Sequence, residues 1–116
     1  MSGKTKPTIT ITESDNQIVM TTVYPGICTE TSTATFNAEG KCIQYITTET
    51  YASDALADAQ WATINNVYDE DEMKAFTRNG KTIIEDETDY YLGDTKESIK
   101  SWFESVKKAI EEEYNK

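Results

Sequence analysis

The spacing of apolar residues divides the chain into a first part that alternates and a second part that repeats every three or four residues. Residues 8–12 are Thr-Ile-Thr-Ile-Thr, which predicts a strand with Ile9 and Ile11 facing a core. Three more alternating segments, rich in β-branched and aromatic residues, predict strands at 17–24, 29–36 and 41–50. The first part of the chain is therefore expected to form a four-stranded meander.

Turn residues separate these strands: a polar segment at 13–16, the Pro25-Gly26 dipeptide, and the segment 37–40. Threonine is frequent within the strands because its β-branched side chain suits an extended backbone and tolerates a solvated face. We therefore interpret the threonines as structural, and not as an array of hydroxyl groups that binds a ligand.

The fourth predicted strand brings in the two cysteines. If the chain turns through 37–40, Cys42 pairs near Thr35 and Phe36 pairs near Lys41, which leaves Cys28 about 20 Å away at about 3.3 Å per residue. A disulfide needs Cα atoms within about 7 Å. Two small buried thiols are the favoured interpretation, and a disulfide would require residues 25–30 to fold back.

In the fourth predicted strand, alternation predicts that Ile43 and Tyr45 share one face. Gln44, Ile46 and Thr48 are expected on the other face.

The pattern changes at Ser53, where apolar residues begin to recur as on one face of a helix. The Ser53 hydroxyl is suited to cap this helix by accepting from an unpaired amide in the first turn. Trp61 is expected to anchor the core, and a tryptophan that stacks on a ligand is the alternative. The predicted apolar stripe consists of Leu56, Ala57, Gln60, Trp61, Ile64 and Tyr68.

The dipeptide Asn79-Gly80 predicts a β-hairpin over residues 73–86, because a type I′ turn needs positive φ at both central residues. If Asn79 and Gly80 form the two-residue loop, Arg78 faces Lys81, and each further pair lies one residue farther out on each strand. The expected pairs are Arg78 with Lys81, Phe76 with Ile83, Ala75 with Ile84, Lys74 with Glu85, and Met73 with Asp86.

The chain ends in a long amphipathic pattern that predicts one more helix. Asp94 is expected to cap it, with Glu97 in capping-box position. The stripe is expected to pack on the sheet, and a groove on a partner protein or a membrane surface is the alternative. Its members are Ile99, Trp102, Phe103, Val106, Ile110 and Tyr114.

These elements together predict a single α+β domain over residues 8–116, preceded by a disordered polar lead at 1–7. The domain has an antiparallel sheet of about six strands covered by two helices, in the order ββββ-α-ββ-α. A chain of 116 residues suits one such core.

Charge narrows the functions that this domain can have. The chain has 11 basic and 21 acidic residues, a formal charge of −10. Such a surface repels nucleic acid and anionic lipid, and it favours a soluble monomer. No segment reaches the eighteen or so apolar residues that a membrane-spanning helix needs. The polar start, Met-Ser-Gly, has no apolar signal core, and it is also typical of a chain from which a signal segment has been removed.

The chain shows no motif of an enzyme, of a cofactor site or of a metal site. It has no histidine, no nucleophile elbow, no phosphate-binding glycine loop and no EF-hand spacing. The residues left without a structural role are eight acids at the base of the predicted hairpin: Asp69, Glu70, Asp71, Glu72, Glu85, Asp86, Glu87 and Asp89. We interpret them as a solvated acidic rim. The alternatives are a binding site for a hard cation such as calcium, or a surface that binds a partner.

Several segments resemble small bacterial surface lipoproteins of the YehR-like group. The similar segments are Thr33–Phe36 with the turn 37–41, the strand end Tyr51-Ala52-Ser53, the alanine-rich helix, the 78–83 hairpin, and Thr95-Lys96-Glu97. The resemblance spans residues 17–110 and implies a domain tethered outside the cytoplasmic membrane by an N-terminal lipid. This sequence departs from the group in that the lipidation cysteine and its signal are missing, and the resemblance implies no catalytic residues.

Two functions follow as hypotheses. The first is a non-enzymatic extracytoplasmic domain that binds a protein or a small molecule at the cell envelope. The second is a cytoplasmic inhibitor or immunity-type protein whose eight acids block a basic site on a protein partner.

Overall fold

The computed structural model describes residues 6–114 and confirms the predicted α+β class. The sheet has six antiparallel strands in the order β1-β2-β3-β4-β6-β5. The meander therefore continues directly into the hairpin, whose second strand pairs with β4. The strands are β1 Thr8–Glu13, β2 Gln17–Tyr24, β3 Cys28–Phe36, β4 Cys42–Tyr51, β5 Phe76–Asn79 and β6 Thr82–Asp86.

Three α-helices and one 3₁₀ turn complete the described part of the chain. The helices are α1 Asp54–Val67, α2 Thr88–Tyr91 and α3 Lys96–Tyr114, and the 3₁₀ turn is Glu72–Ala75. Helix α2 falls in a segment for which the sequence predicts no regular structure, whereas the 3₁₀ turn replaces the start of the predicted hairpin strand at residues 73–75. No helix among residues 6–114 is long and apolar enough to cross a membrane.

The helices lie on one face of the sheet, which we call the covered face, and they bury two separate apolar clusters there. The cluster under α3 joins Phe103 and Ile99 to residues of the first four strands, such as Ile18 and Phe36. The cluster under α1 joins Ala57 and Ile64 to residues of β4 and β6. Both predicted helical stripes therefore pack on the sheet, except that Tyr68 and Trp102 remain exposed. Trp61 is partly buried against the second cluster, as expected.

Helix α1 begins where the sequence predicts. Ser53 is its N-cap, and the Ser53 hydroxyl accepts a hydrogen bond from the Leu56 amide over 3.2 Å. Helix α3 begins one residue later than expected. Its cap is Thr95, whose hydroxyl accepts from the Ser98 amide over 3.1 Å, so the prediction that Asp94 caps this helix was wrong.

A bulge at Ile43 corrects the predicted register of β3 and β4. Phe36 pairs with Cys42 and Thr35 pairs with Gln44, which leaves Ile43 as an extra residue. The predicted pairs of Phe36 with Lys41 and of Cys42 with Thr35 were therefore wrong. Ile43 is 48% exposed and does not share the covered face with buried Tyr45, because the bulge interrupts alternation between them.

The hairpin also differs from its predicted register. Asn79 pairs with Thr82, so the central turn residues are Gly80 and Lys81. Gly80 has φ +61°, whereas Lys81 does not have a positive φ, since every described residue with positive φ is a glycine. A type I′ turn needs positive φ at both central residues and is therefore excluded, and a type II′ turn needs it only at the first and fits. Every predicted cross-strand pair is therefore wrong: Phe76 pairs with Glu85, Thr77 with Ile84 and Arg78 with Ile83, while Met73, Lys74 and Ala75 belong to the 3₁₀ turn.

Both cysteines are free thiols, as favoured from the sequence, but only Cys42 is buried, and Cys28 is partly exposed. Cys28 pairs with Tyr51 at one end of β3, and Cys42 pairs with Phe36 at the other end. Of the predicted lead, residues 1–5 lie outside the described residues, and Pro7 is buried directly before β1.

Candidate functional site

A cleft separates the two apolar clusters on the covered face. Helices α1 and α3 each cover one end of the sheet, and the cleft between them has a volume of about 420 Å³. This volume lies within the range of small-molecule sites, about 300–1,000 Å³. Four glutamates line it: Glu30, Glu49, Glu85 and Glu87.

The strand register determines where these glutamates lie. Glu30 of β3 and Glu49 of β4 are directly opposite each other, and Thr47 of β4 is opposite Glu85 of β6. Residues paired in this way point to the same face, since side chains alternate along each strand. The three strands therefore place three carboxyl groups on two neighbouring rows of the covered face. At this position most sheets have apolar residues.

Glu87 follows β6 and joins the same cleft through hydrogen bonds. The amide of Glu87 donates to the Tyr45 carbonyl oxygen over 2.8 Å. The Thr47 hydroxyl donates to Oε1 of Glu87 over 2.7 Å, and Ser32 and Thr47 hydroxyl oxygens lie 3.0 Å apart. Because Thr47 uses its proton on Glu87, Ser32 is the donor in this second bond. The chain of hydrogen bonds fixes Glu87 at the edge of the floor.

Basic side chains do not neutralise these acids. The ion pairs found in residues 6–114 lie outside the cleft, and their acidic members are Glu13, Asp58 and Asp71. Arg78 follows Ile83 on the row of Glu49, but it binds Asp58 of α1 at 2.6 Å. The floor of the cleft therefore carries negative charge that the described part of the chain leaves uncompensated.

Burial among like charges raises the pKa of three of these carboxyl groups, those of Glu30, Glu85 and Glu87. Partial burial, with the Glu49 carboxylate as the second cause, raises the pKa of Glu30 to about 7. Partial burial together with Glu87 and Glu49 raises the pKa of Glu85 to about 7. The pKa of Glu87 is also raised by burial, and its bond from Thr47 opposes that effect. At neutral pH the cleft is thus partly protonated and accepts positive charge readily.

Aromatic side chains form the walls of the cleft. The rings of Tyr45 and Tyr91 stack with centroids 3.9 Å apart and planes 18° from parallel. Trp102 of α3 lines the same cleft and is 50% exposed. Tyr68 and Phe76 line the opposite side, with ring centroids 4.9 Å apart. A ligand over the acidic floor would therefore contact aromatic faces from both sides.

Six of the eight acids singled out from the sequence line one or more of three cavities, and two line none of them. Glu85 and Glu87 lie in the cleft. A second cavity beside it, of about 410 Å³, is lined by Glu72, Glu85, Asp86, Glu87 and Asp89. Asp71, Asp86 and Asp89 share a further groove with Lys74. Asp69 and Glu70 are exposed and line none of these three cavities.

Several of these acids have local structural roles. The Asp69 carboxylate accepts from the Glu72 amide over 2.8 Å, and the Glu72 carboxylate accepts from the Asp69 amide over 3.0 Å. This reciprocal pair starts the 3₁₀ turn as a capping box would. Asp71 pairs with Lys74 at 3.1 Å, and the Asp86 carboxylate accepts from the Thr88 amide over 3.0 Å.

The sequence analysis missed Glu30 and Glu49, the two acids at the centre of the floor. The signal was present in the alternation. Glu30 is in phase with Ala34 and Phe36, which are buried, and Glu49 is in phase with Tyr45 and Tyr51. A charged residue in phase with a buried apolar set marks either a buried ion pair or a site.

The carboxyl groups do not form a compact metal-binding set. Within residues 6–114, no three acidic or cysteine side chains converge closely enough to hold a metal ion. Comparisons of the chain with protein-family models, with curated proteins and with solved structures found no match.

Proposed function

We propose that this protein is a non-enzymatic binding domain whose cleft takes a small organic cation. The observation that carries the proposal is the placement of Glu30, Glu49 and Glu85 on the covered face, without a basic partner, in a cavity of about 420 Å³. Burying uncompensated carboxyl groups costs stability. A protein that retains several of them between two helices gains most when a ligand supplies the missing charge.

The spread of the acids favours an elongated cation. The floor extends from β3 across β4 to β6, which is two strand spacings or about 10 Å. A linear diamine or triamine matches this length and can approach a carboxylate at each end. Its alkyl chain would lie against the aromatic walls, and each ammonium group gains from a neighbouring ring by a cation–π interaction of about 0.5–2 kcal/mol.

The location that we propose for this domain is the bacterial cell envelope. The support is the resemblance to surface lipoproteins, whose domains are held outside the membrane by a lipid. In that setting a solute-binding role needs no catalytic residue, which agrees with a site built from carboxylates and aromatic rings.

Isothermal titration calorimetry with spermidine as the probe tests the cation site. We expect saturable binding that weakens with added salt, because charge contributes most of the attraction. Glu49→Gln removes a central carboxylate and should weaken binding about tenfold or more, since a charge-assisted hydrogen bond contributes about 1.5–3 kcal/mol. Glu112→Gln is the matched control, because Glu112 is exposed on α3 and does not line the cleft.

Equal weakening by both substitutions would show nonspecific attraction to an acidic protein and would contradict the proposal. Failure of spermidine, putrescine and lysine to bind to the wild type would contradict it as well. Magnesium chloride at the same ionic strength provides a further control. It should compete only weakly, because the floor carboxyl groups are spread over three strands.

A second candidate is the acidic inhibitor, which one observation favours. The structure brings Asp71, Asp86 and Asp89 to one groove, so part of the predicted acidic surface is continuous. A basic protein docked there would lose affinity when Asp86 and Asp89 are replaced by lysine, and Glu49→Gln would leave that affinity unchanged. Pulldown with a basic nuclease as the probe separates the two functions.

A further inference from the structure

The face of the sheet opposite the helices, which we call the open face, is nearly free of charge. Twenty strand residues point to it, as the cross-strand register defines them. Asp86 is the only charged one among them, although 28% of all residues in the chain are charged. The usual distribution is inverted, because antiparallel sheets normally keep charge on the solvated face and exclude it from the covered one.

Threonine and aliphatic residues make up most of the open face. Its central row crosses all six strands as Thr10, Thr21, Thr31, Thr48, Ile84 and Thr77. Val19 and Ile46 stand in the next row, and Val23 stands in the row on the other side. Threonine methyl groups and these aliphatic side chains can interdigitate with another sheet, as in β-sandwiches. Within residues 6–114, both apolar clusters lie on the covered face, so neither helix stripe reaches the open face.

We propose that two copies of this chain pack through their open faces to form a symmetric dimer. A two-fold axis brings the same patch of each copy together, and a patch with a single charged residue, Asp86, meets itself with little charge repulsion. Contact through the covered face would instead bring acidic residues of the two copies together, since Glu30, Glu49 and Glu85 lie there. Contact through the open face places the helices and their acidic cleft on the two outer sides.

Distance keeps the acidic sides from repelling each other in such a dimer. Each copy measures 20 Å along its shortest axis. The helical layers of the two copies would then be separated by more than the Debye length, which is about 8 Å at physiological ionic strength. The dimer departs from the monomer that the acidic composition alone favours.

The area of the open face sets the expected strength of the dimer. Six strands at about 4.8 Å and about six residues per strand at about 3.3 Å give on the order of 600 Å² per copy. The total of about 1,200 Å² lies at the lower limit for a specific interface. We therefore expect a weak dimer, with a dissociation constant of tens to hundreds of micromolar.

Sedimentation equilibrium over about 10 µM to about 1 mM protein tests the dimer, since such a constant shifts the population across this range. The wild type should change from monomer to dimer. Thr48→Lys adds a charge to the centre of the open face and should weaken association at least tenfold. Ser101→Lys adds the same charge on the exposed side of α3 and should leave association unchanged or slightly stronger, because it reduces net repulsion.

A second variant protects the test against misfolding of the first. Thr10 lies on the edge strand β1 and is exposed, so Thr10→Lys should fold normally and still weaken the dimer. A wild type that stays monomeric at about 1 mM contradicts the proposal, because an interface of this size should associate by then. A dimer that survives both lysine substitutions uses another surface, and that result overturns the proposal too.

Discussion

Glu30 and Glu49 lie directly opposite each other on β3 and β4, and both side chains point to the covered face. Like charges in this position repel, and the repulsion is stronger where partial burial excludes water. The pair therefore favours sharing a proton, which agrees with the raised pKa of Glu30. The strain in this pair is relieved in two ways, by proton uptake or by a bound cation, and each way leads to a prediction.

The stability of the free protein should fall as the pH rises toward neutrality. Glu30 and Glu85 have pKa values of about 7 in the folded state, against an ordinary value of 4.5. Between these values the folded state binds more protons than the unfolded state, so the free energy of unfolding decreases with increasing pH. We expect a loss on the order of 1–2 kcal/mol, reduced from the full shift because these groups are partly solvated.

Urea unfolding at several pH values between about 4.5 and 8 measures this loss. Glu13 contributes with the opposite sign, because its hydrogen bonds with Lys100 and Lys96 lower its pKa. That contribution is lost only as the pH falls below 4.5, outside the window of the cleft acids. A free energy of unfolding that rises between pH 5 and pH 7 would contradict the prediction.

Replacing one member of the pair should stabilise the protein at high pH. Glu30→Gln keeps the shape of the side chain and removes the repulsion, so we expect a gain of about 1 kcal/mol at pH 8. Near pH 5 the gain should disappear, because the glutamate there is protonated and resembles the amide. Glu39→Gln is the control. Glu39 is exposed in the turn before β4, and its substitution should change the stability by less than about 0.5 kcal/mol at either pH.

Alternation and helical spacing were sufficient to predict the six strands and the two long helices, but not α2 or the 3₁₀ turn. Ile9 alternates with threonines along β1, and Ile99 and Phe103 repeat at helical spacing, so their burial follows from local pattern. The bulge at Ile43 could not be predicted, since one extra residue changes the register without changing composition. The hairpin failed for a similar reason. Gly80 suits positive φ in either turn type, and the pairing of β6 with β4 decides which register forms.

The candidate site was predictable only in part, because it depends on pairing between strands. Glu85 and Glu87 stood out as members of an acidic run. Glu30 and Glu49 are nineteen positions apart along the chain and meet only because β3 pairs with β4 in one register. Proximity along the chain groups Glu85 with Glu87 but cannot indicate a site that forms across strands.

Two neighbouring residues of α3 should have opposite roles in stability and binding. Phe103 is fully buried under the helix, and Phe103→Ala should destabilise the fold by about 3–5 kcal/mol through the lost burial and the cavity left behind. Trp102 is half exposed beside the cleft, and Trp102→Ala should cost about 1 kcal/mol or less. Urea unfolding of both variants measures this difference in the loss of stability. Trp102→Ala should also weaken spermidine binding severalfold, and unchanged affinity would show that the ring does not contact the cation.

The cap of α3 gives a test of the structure itself, because sequence and structure assign it to adjacent residues. The Thr95 hydroxyl accepts a hydrogen bond from the Ser98 amide. The Thr95 carbonyl oxygen accepts one from the Ile99 amide over 3.1 Å. Thr95→Ala should therefore cost about 1 kcal/mol, while Thr95→Ser retains the hydroxyl and most of the stability. Asp94 contributes through its backbone, whose carbonyl oxygen accepts from the Cys42 amide over 2.8 Å, and Asp94→Ala preserves that bond. Its loss should stay below about 0.5 kcal/mol, from the weaker attraction of a carboxylate to the helix N-terminus. A larger loss at Asp94 than at Thr95 in urea unfolding would return the cap to Asp94.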